Sequence, residues 1–432
     1  MWQMVGRRET GRLPPHKFRA LLQKTRLYSI ELAGHKEIAS AHKSGVNSLQ
    51  QIDATEARYL LSGAADGSVA VYDIEQATAY DHSTRTSKHE ALFMVDKRVL
   101  NGHLYSVSCV HWYPIDTGIF VTGSFDNFVN VWDTNTTQVE LQFNMSKKVY
   151  SLSMSTLATT HMLIATGTDD TRIRLCDIAS GAFTHTLSGH RDSVWVVQWS
   201  TRSEWVLVSG GCDGAIRFWD IRRAGCYQIL DQQCSQIGRR PPVLKKSSRT
   251  HGREDNLCTK YLNASSPIRQ RGQKRSFGIS AVDSRTAHYG SVAGLQMTAD
   301  GLHMISAGTD SRLRLWDVES GCNTLVNYPS TYIRGNKGIQ MAVTPDSSLV
   351  FTPSLNAILV YDVWSGHSYS SLRGHYDQVN CCAFHPQGQE LYTGSNDRKI
   401  LVWAPRRPID IDNFDYEDAE QAIKADEDAW SD

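Results

Sequence analysis

Apolar and polar residues alternate along most of this chain in short runs, each preceded by small residues and a turn. Alternation with a period of two predicts strands that bury one face. Seven of these runs end in an aromatic-Asp pair or a near variant, and the endings are Val71-Tyr72-Asp73, Val131-Trp132-Asp133, Leu175-Cys176-Asp177, Phe218-Trp219-Asp220, Leu315-Trp316-Asp317, Val360-Tyr361-Asp362 and Val402-Trp403-Ala404. Counted between the last residues of successive endings, the intervals are 60, 44, 43, 97, 45 and 42 residues. The pattern therefore predicts one repeated β-unit.

A period near 43 residues resembles the WD repeat, in which each repeat forms one four-stranded blade of a β-propeller. The two long intervals become regular when a polar insertion is removed from each, about 16 residues near 76–90 and about 54 near 232–285. We therefore predict an all-β fold, a seven-bladed WD-repeat β-propeller over residues 36–404. A short N-terminal helical segment (1–35) and an acidic C-terminal tail (405–432) flank it.

The last repeat lacks a fourth strand of its own. Leu100, Leu187 and Leu372 each stand three residues before a Gly-His histidine, at the place of a blade's outer strand. The same offset from His42 places residues 36–40 as the missing strand. The two ends of the chain are thus expected to share one blade and to remove an open sheet edge.

Charge is distributed in blocks, although the formal net charge is zero. Residues 232–282 have an excess of nine positive charges, residues 1–26 an excess of six, and residues 409–432 an excess of nine negative charges. Such blocks are typical of flexible interaction tails or of solvated surface segments, and both readings stay open. Without a membrane-length apolar run or a signal-peptide core, the chain is expected to be soluble and intracellular.

Four repeats share a His, an Asp and a Trp at fixed spacing: His103, Asp126 and Trp132; His190, Asp213 and Trp219; His288, Asp310 and Trp316; His375, Asp397 and Trp403. A catalytic site needs one such constellation, whereas a blade fold needs one in each repeat. We therefore predict structural tetrads, in which the Asp orients the His and a strand hydroxyl links the His to the indole.

The first, third and sixth repeats depart from the tetrad pattern and are expected to rely more on apolar packing. The first has Tyr72, the third has Cys176, and the sixth has Leu355 and Tyr361 at the tetrad positions. The nine scattered cysteines, without a Cys-x-x-Cys pair, predict reduced thiols and no metal site. No phosphate loop, zinc-protease motif or nucleophile elbow occurs, so no catalytic residue and no cofactor are predicted.

The ending Trp219-Asp220-Ile221-Arg222 is the one Trp-Asp-x-Arg in the sequence. It resembles the sixteen-residue box of WD proteins that dock on the damage-specific DNA-binding adaptor of cullin-4 RING ubiquitin ligases. The alternative is an ordinary surface arginine. Arg222 follows the third strand of its repeat, and the closing strand at 36–40 is entered from the same blade face, so we expect Arg222 and the N-terminal segment to share that face.

The N-terminal segment contains further candidate contacts. Residues 16–28 can form a short basic helix with apolar side chains, which would gain stability by lying in a partner's groove. The alternative is that this segment packs back on its own propeller. The predicted partner-binding residues are Trp219, Asp220, Arg222, Trp2, Met4, Phe18, Leu21 and Leu22.

Longer stretches resemble the Cockayne syndrome group A family of WD-repeat proteins over nearly the whole chain. They are Trp112-Tyr113-Pro114-Ile115-Asp116-Thr117-Gly118, Asp300-Gly301-Leu302-His303, Asn323-Thr324-Leu325-Val326-Asn327-Tyr328, Leu372-Arg373-Gly374-His375-Tyr376, Glu9-Thr10-Gly11 and Asp428-Ala429-Trp430. The resemblance implies a nuclear, non-catalytic substrate receptor of a cullin-4 RING ligase in transcription-coupled nucleotide excision repair. It implies as partners the ligase adaptor, the Cockayne syndrome group B translocase, the UV-stimulated scaffold protein and RNA polymerase II.

Two other functions stay open at this point: a general WD scaffold or chromatin reader without a ligase, and a propeller hydrolase. The hydrolase is disfavoured because the polar groups are distributed among the repeats. The basic insertion is longer than the loop expected for the family. Its Lys245-Lys246 and Lys274-Arg275 pairs fit nuclear import, weak nucleic-acid contact or a flexible linker equally well.

Overall fold

The computed structural model describes residues 2–15, 17–18, 25–51, 58–223, 225–232, 286–334 and 337–406. The predicted acidic tail, apart from its first two residues, and nearly all of the predicted basic insertion lie outside these ranges. The chain divides into two compact units. The first comprises Met1–Val149, Ile339–Asp362 and His367–Asp432, and the second comprises Tyr150–Gly338 and Val363–Gly366.

Strands dominate the described residues. The first part of the chain contains α1 (Trp2–Glu9), β1 (Ile30–Leu32), β2 (Lys36–Ile38), β3 (Val46–Gln51), β4 (Tyr59–Ala64), β5 (Val69–Asp73), β6 (Ala79–Asp81), β7 (Thr86–His89), β8 (Ala91–Val95), β9 (Val107–Trp112), β10 (Ile119–Ser124), β11 (Phe128–Asp133) and β12 (Val139–Asn144).

The three following repeats contain β13 (Val149–Met154), β14 (Leu163–Thr168), β15 (Arg172–Asp177), β16 (Ala182–Ser188), β17 (Val194–Trp199), β18 (Val206–Gly211), β19 (Ile216–Asp220), β20 (Cys226–Ile229), β21 (Val292–Met297), β22 (His303–Gly308), β23 (Leu313–Asp317) and β24 (Cys322–Asn323). The last two repeats contain β25 (Ala342–Val343), β26 (Leu349–Ser354), β27 (Ala357–Asp362), β28 (Ser368–Arg373), β29 (Val379–His385), β30 (Glu390–Ser395) and β31 (Ile400–Pro405).

Six four-stranded antiparallel sheets have the strand order of a propeller blade: β3-β4-β5-β8, β9 to β12, β13 to β16, β17 to β20, β21 to β24 and β25 to β28. The prediction of seven equivalent blades is therefore only partly confirmed. Strands of the last repeat belong to a larger, seven-stranded sheet. The reason is that four strands distant in sequence extend the sheet of that repeat; they are β1, β2, β6 and β7.

The seventh sheet contains the predicted closing strand. β2 pairs antiparallel with β31, with Ile38 opposite Ile400. β1 pairs with the other end of the same strand, with Ile30 opposite Pro405 and Leu32 opposite Trp403. The closing strand is thus longer than predicted and is interrupted between β1 and β2. Its start at Ile30 falls inside the segment 1–35 that the sequence assigned to docking.

The polar insertion near residues 76–90 also forms strands. β6 and β7 pair as an antiparallel hairpin, and β7 lies parallel to β2, with Lys36 opposite Ser87. β2 is consequently an inner strand of the seventh sheet, and β6 forms its outer edge within the described residues. The hairpin covers the edge that the closing strand would otherwise leave open.

Burial explains which strands the sequence pattern showed most clearly. The inner strands of the sheets are buried on both faces, as in β10 and β19. Fourth strands alternate between exposed and buried positions, as in β12, or are largely exposed, as in β16. Small residues on the second strand let neighbouring sheets approach, because a Cβ added to Gly63 would lie 2.6 Å from Val110 Cγ1. The recurring small residues are therefore a packing requirement.

Candidate partner-docking site

All four predicted tetrads are formed. In the second sheet His103 Nδ1 lies 2.8 Å from Asp126 Oδ2, and His103 Nε2 lies 2.6 Å from Thr122 Oγ1. Trp132 Nε1–H donates to the same threonine oxygen at 2.7 Å. The equivalent strand hydroxyls in the other three tetrads are those of Ser209, Ser306 and Thr393. Each of these hydrogen-bonded sets links two strands of one sheet to the loop that contains the histidine and to the turn that contains the aspartate.

In two of the tetrads, burial favours the neutral form of the histidine. Burial lowers the pKa values of His288 and His375. Although burial alone would raise the pKa of Asp126, hydrogen bonds from His103 and two backbone N–H groups keep that pKa below its ordinary value. A neutral imidazole can then donate through Nδ1–H to the carboxylate and accept at Nε2. The buried groups satisfy one another, which is a structural function.

The first repeat does not follow the expectation of apolar packing. His42 Nδ1 and Nε2 each lie 2.6 Å from a serine hydroxyl, those of Ser68 and Ser62, and Ser68 in turn donates to Asp66. Burial lowers the pKa of His42 to about 4. Tyr72 takes the place of the tryptophan, and its hydroxyl accepts the Ala41 backbone N–H at 3.0 Å. A serine relay thus replaces the direct His–Asp contact.

The other two irregular repeats differ from each other. In the third, Asp170 forms an ion pair with Arg174 at 2.9 Å. In the sixth, Tyr361 is fully buried in the apolar interior, and burial raises its pKa to about 12. The third repeat is nevertheless apolar in its interior, where Cys176 and Leu175 are buried. The prediction of mainly apolar packing therefore fits the third and sixth repeats and not the first.

Arg222 is held in a fixed position directly after β19. Its Nε and one terminal nitrogen donate to the two oxygens of Asp220 at 3.0 and 2.9 Å. The guanidinium carbon also lies 5.4 Å from the ring centroid of Trp205, a cation–π contact. Hydrogen bonds to Asp220 raise the pKa of Arg222. With 54% of its side chain exposed, Arg222 presents an oriented positive charge to solvent.

Trp219 was predicted as a partner-binding residue, and that part of the prediction is wrong. Its side chain is fully buried, and its indole N–H donates to Ser209 Oγ at 2.8 Å within the tetrad. The Asp220 side chain is only 10% exposed and is engaged by Arg222. Asp220 therefore positions the arginine, whereas the tryptophan of the tetrad points into the interior of the sheet.

Sequence reasoning missed the surroundings of Arg222. Glu204 and Trp205 precede β18, and the Glu204 carboxylate accepts hydrogen bonds from Thr159 N and Thr160 Oγ1 at 3.2 and 3.1 Å. The His161 ring packs against Trp205, with centroids 5.3 Å apart. These residues come from loops distant in sequence. The one feature of the sequence that could have identified them is Trp205, a tryptophan in a polar turn of the same repeat.

Only part of the predicted N-terminal docking set is described. Trp2 and Met4 lie in α1, which falls within the predicted N-terminal helical segment but precedes the helix expected at residues 16–28. Phe18 is half-buried, whereas Leu21 and Leu22 lie outside the described residues. Leu27 and Ile30 are buried in the core of the first unit, and Tyr28 contacts Tyr369 with ring centroids 4.4 Å apart. The end of this segment therefore packs on its own fold, which was the alternative interpretation.

Phe18 belongs to the first unit and Arg222 to the second. Their common docking face stays a prediction. Within the described ranges, seven cysteines are free thiols, and no group of three or more His, Cys, Asp or Glu could hold a metal ion. A search of the helices in these ranges found none with the length and apolar character needed to cross a membrane.

Comparison with known proteins agrees with the repeat structure. The family model "WD domain, G-beta repeat" matches residues 35–73, 95–133, 181–220, 280–317 and 366–404. The third and sixth repeats, which lack complete tetrads, are not among these matches. The WD repeat-containing protein ATCSA-1 of Arabidopsis thaliana is 49% identical over 456 aligned residues, which cover 100% of both chains.

More distant similarity covers less of the chain. The ribosome biogenesis protein WDR12 homologs of Drosophila erecta and Drosophila yakuba are 30% and 29% identical over 198 residues, 45% of each chain. Partial matches of this kind reflect shared WD repeats, whereas the full-length match includes the regions outside the repeats.

Proposed function

This chain belongs to the Cockayne syndrome group A family of WD-repeat proteins, and from that premise we propose that it is the substrate receptor of a cullin-4 RING ubiquitin ligase. The ligase acts in transcription-coupled nucleotide excision repair. The observation that carries the proposal is the geometry of Arg222. Two hydrogen bonds to Asp220 and the ring of Trp205 orient its guanidinium, while 54% of its side chain remains exposed to a partner.

Pre-orientation is what an arginine needs at an interface. Because Asp220 and Trp205 already restrict the side chain, little rotamer entropy is lost when a partner carboxylate or carbonyl binds the exposed guanidinium edge. The charge of Asp220 is partly offset by Arg222 and by Arg223, whose Nε lies 3.6 Å away. The site therefore offers a positive contact to the damage-specific DNA-binding adaptor of the ligase.

The N-terminal segment supplies the second, apolar contact in this proposal. Phe18 follows a Pro-Pro pair and lies within the basic block of residues 1–26. Leu27 and Ile30 fix the end of the segment in the core of the first unit, so the residues before them start from a defined anchor. Trp2, Met4, Leu21 and Leu22 are proposed to add apolar contact area to the adaptor.

A receptor of this kind performs no bond chemistry itself. It raises the effective concentration of a substrate near the ubiquitin-loaded subunit, and the transfer residues belong to other subunits. We propose a nuclear location and, as further partners, the Cockayne syndrome group B translocase, the UV-stimulated scaffold protein and RNA polymerase II. The seven sequence repeats favour seven blades, with the seven-stranded sheet as the seventh.

A general WD scaffold without a ligase is the second candidate. The partial similarity to the ribosome biogenesis protein WDR12 homologs favours it, because a scaffold needs the repeats and nothing more. It differs from the receptor at Arg222 and at the N-terminal segment, for which a plain scaffold has no use. One binding experiment therefore distinguishes the receptor from the plain scaffold.

The experiment combines Arg222→Glu with Phe18→Asp. The double variant is expected to lose capture by the purified adaptor, since interface energy is concentrated in few residues, each contributing about 2 kcal/mol or more. Each single variant should weaken capture less than the pair does. Arg223→Glu is the matched control, because Arg223 is adjacent, has the same charge and is 69% exposed.

Circular dichroism confirms that each variant is folded. Undiminished capture of a folded double variant would contradict adaptor docking and leave the plain scaffold as the better function. An equal loss with Arg223→Glu would mean that general charge, and not the oriented arginine, determines binding.

A further inference from the structure

The last described residue of the chain is held directly beside the N-terminal segment. The backbone N–H of Arg406 donates to the Ser29 carbonyl oxygen at 3.1 Å, and Arg406 Nε lies 3.8 Å from Glu31 Oε1. The Arg26 carbonyl oxygen in turn accepts from the backbone N–H of Ser29 at 3.0 Å and from its hydroxyl at 2.8 Å. The acidic tail therefore starts next to the point where the basic block of residues 1–26 ends.

The basic side chains of this block are accessible to an acidic segment. Five of them belong to the described residues, and all five are exposed: Arg7, Arg8, Arg12, Lys17 and Arg26. None of the five forms an ion pair with a described acidic side chain. Because neighbouring like charges repel one another, a segment of opposite charge that covered the block would relieve this repulsion.

The tail has the matching charge. Residues 409–432 contain ten acids and one lysine, and apolar residues such as Ile411 and Phe414 stand between the acids. Asp410 follows Arg406 by four residues, and four residues span at most about 14 Å. The first carboxylate of the tail is therefore within reach of Arg26, which lies one turn before Ser29.

Other basic side chains of the first unit are less well placed for the start of the tail. Arg398 and Lys399 precede β31, whereas Arg406 follows it, and a strand of six residues is about 20 Å long. Lys36 is already paired with Glu390 at 2.7 Å. The basic block is therefore better placed than any of these three to meet the first acids of the tail.

We propose that residues 409–432 bind the basic block of the same chain and cover the N-terminal segment. The acids of the tail contact the exposed arginines and lysines, and the apolar residues between them pack beside Phe18. This contact stands by itself. Its effect on the ligase adaptor rests on the proposed function, which assigns Phe18 to docking: the tail and the adaptor compete for the same segment, so the tail limits docking.

Attachment to the same chain makes a weak contact sufficient. Exposed ion pairs are individually weak, but two segments joined through a short linker meet at an effective concentration on the order of millimolar. The adaptor binds only those molecules in which the segment is uncovered. If the tail covers the segment in about nine molecules of ten, the apparent affinity for the adaptor is about tenfold lower than that of the uncovered form.

The first experiment identifies what the tail contacts in the unsubstituted full-length chain. A carbodiimide joins carboxylates to lysine amines that lie in contact, and mass spectrometry of the monomer locates the joined residues. We expect the tail to be linked to Lys17 and Lys24. Lys97 and Lys147, exposed lysines of the same unit, are the internal controls and should be linked rarely. A salt concentration of about 1 M, at which the Debye length is about 3 Å, should suppress the links.

Other patterns of links would overturn the proposal. Links only to the basic insertion, for example to Lys245 or Lys274, would make that segment the occupant. Links only between two chains would assign the tail to another molecule. Equal linking of Lys17 and Lys97 would show a contact without selectivity, and the absence of links to the tail would exclude the contact.

The second experiment measures the effect on adaptor binding. Four substitutions remove the carboxylates that follow Arg406 most closely: Asp410→Asn, Asp412→Asn, Asp415→Asn and Glu417→Gln. The affinity of the full-length variant for the purified adaptor is expected to rise by up to about tenfold. The matched control removes four exposed acids elsewhere in the first unit and should leave the affinity unchanged: Glu37→Gln, Glu75→Gln, Glu90→Gln and Glu140→Gln.

Circular dichroism confirms that both variants are folded. An unchanged affinity of the tail variant, or an equal rise in the control, would contradict competition by the tail. The two proposals fail separately, because the links alone decide the contact. Links from the tail to Lys17 without capture by the adaptor would contradict adaptor docking and not the contact, whereas capture without such links would contradict the contact and not adaptor docking.

Discussion

At the scale of single residues, the tetrad aspartates make two kinds of contact at once. Asp213 accepts from His190 at 3.0 Å and from the backbone N–H of Arg191 at 3.1 Å. One carboxylate therefore stabilises the buried histidine and fixes the backbone of an exposed loop. The packing of the interior and the conformation of the exposed loop therefore depend on the same Asp213 carboxylate.

Replacing Asp213 by Ala is expected to lower the free energy of unfolding by about 1–3 kcal/mol, because the buried His190 loses its acceptor. Urea denaturation followed by circular dichroism measures this difference. Asp192→Ala, at an exposed position in the same loop, should change the stability little. Equal stabilities for Asp213→Ala and the unsubstituted chain would show that the tetrad is not a stabilising unit.

His42 predicts a pH dependence of stability. Its pKa is about 4 in the folded protein and 6.5 as an unperturbed side chain. Between these values the unfolded chain binds the additional proton, so stability is lost as the pH falls from 6.5 towards about 4. The contribution is on the order of 3 kcal/mol.

His42→Gln keeps an amide hydrogen bond but does not titrate in this range. Its free energy of unfolding is therefore expected to depend less steeply on pH, and urea titrations at several pH values give the slopes. The other described histidines whose pKa values are lowered by burial are unchanged in the variant; they are His89, His111, His288 and His375. Identical slopes for variant and unsubstituted chain would exclude His42 as a source of acid sensitivity.

At the scale of elements, the closing strand determines how the chain's two ends are joined. β1 and β2 together cover β31, and Lys36 of β2 forms an ion pair with Glu390 of β30 at 2.7 Å. This ion pair is largely buried, so it fixes the register of β2 against the sheet. The hairpin β6–β7 then pairs with β2 and depends on it.

Deletion of residues 1–40 should expose the edge of β31 and, because it removes Leu27 and Ile30, the part of the core that these two side chains cover. The expected result is aggregation, because an unpaired strand edge can pair with another chain. Light scattering after size-exclusion chromatography measures it. A deletion of residues 1–24 retains both strands and serves as the control, and it should remain monomeric. A soluble monomer with unchanged melting after the longer deletion would contradict closure at this strand.

At the scale of the whole molecule, the two contacts proposed for the ligase adaptor come from different units. Arg222 lies after a third strand in the second unit, and the N-terminal segment lies in the first unit. The strongly basic insertion and acidic tail give the chain two further charged segments, whose excess charges are equal and opposite. A receptor requires surfaces beyond the adaptor contacts, since it has to bind a ligase subunit and a substrate together.

The resemblance drawn from sequence motifs holds at the level of the family, as the full-length similarity to the Arabidopsis protein shows. The tetrads and the closing strand were also predictable, because a fixed spacing repeated in several copies reports one local geometry. The role of Trp219 was predicted wrongly, because a motif identifies which residues occur together and does not show which of them faces solvent.

The sequence by itself determined the repeated β-units, the His–Asp–Trp partners and the position of the strand that closes the last repeat. Each of these depends on spacing along the chain, and spacing in a strand fixes which face a side chain occupies. Only the tertiary structure decided the hairpin beside β2, the Ser68 relay to His42 and the contact of Trp205 with Arg222. Those features join segments that are distant in sequence, and their contacts depend on packing that no local period encodes.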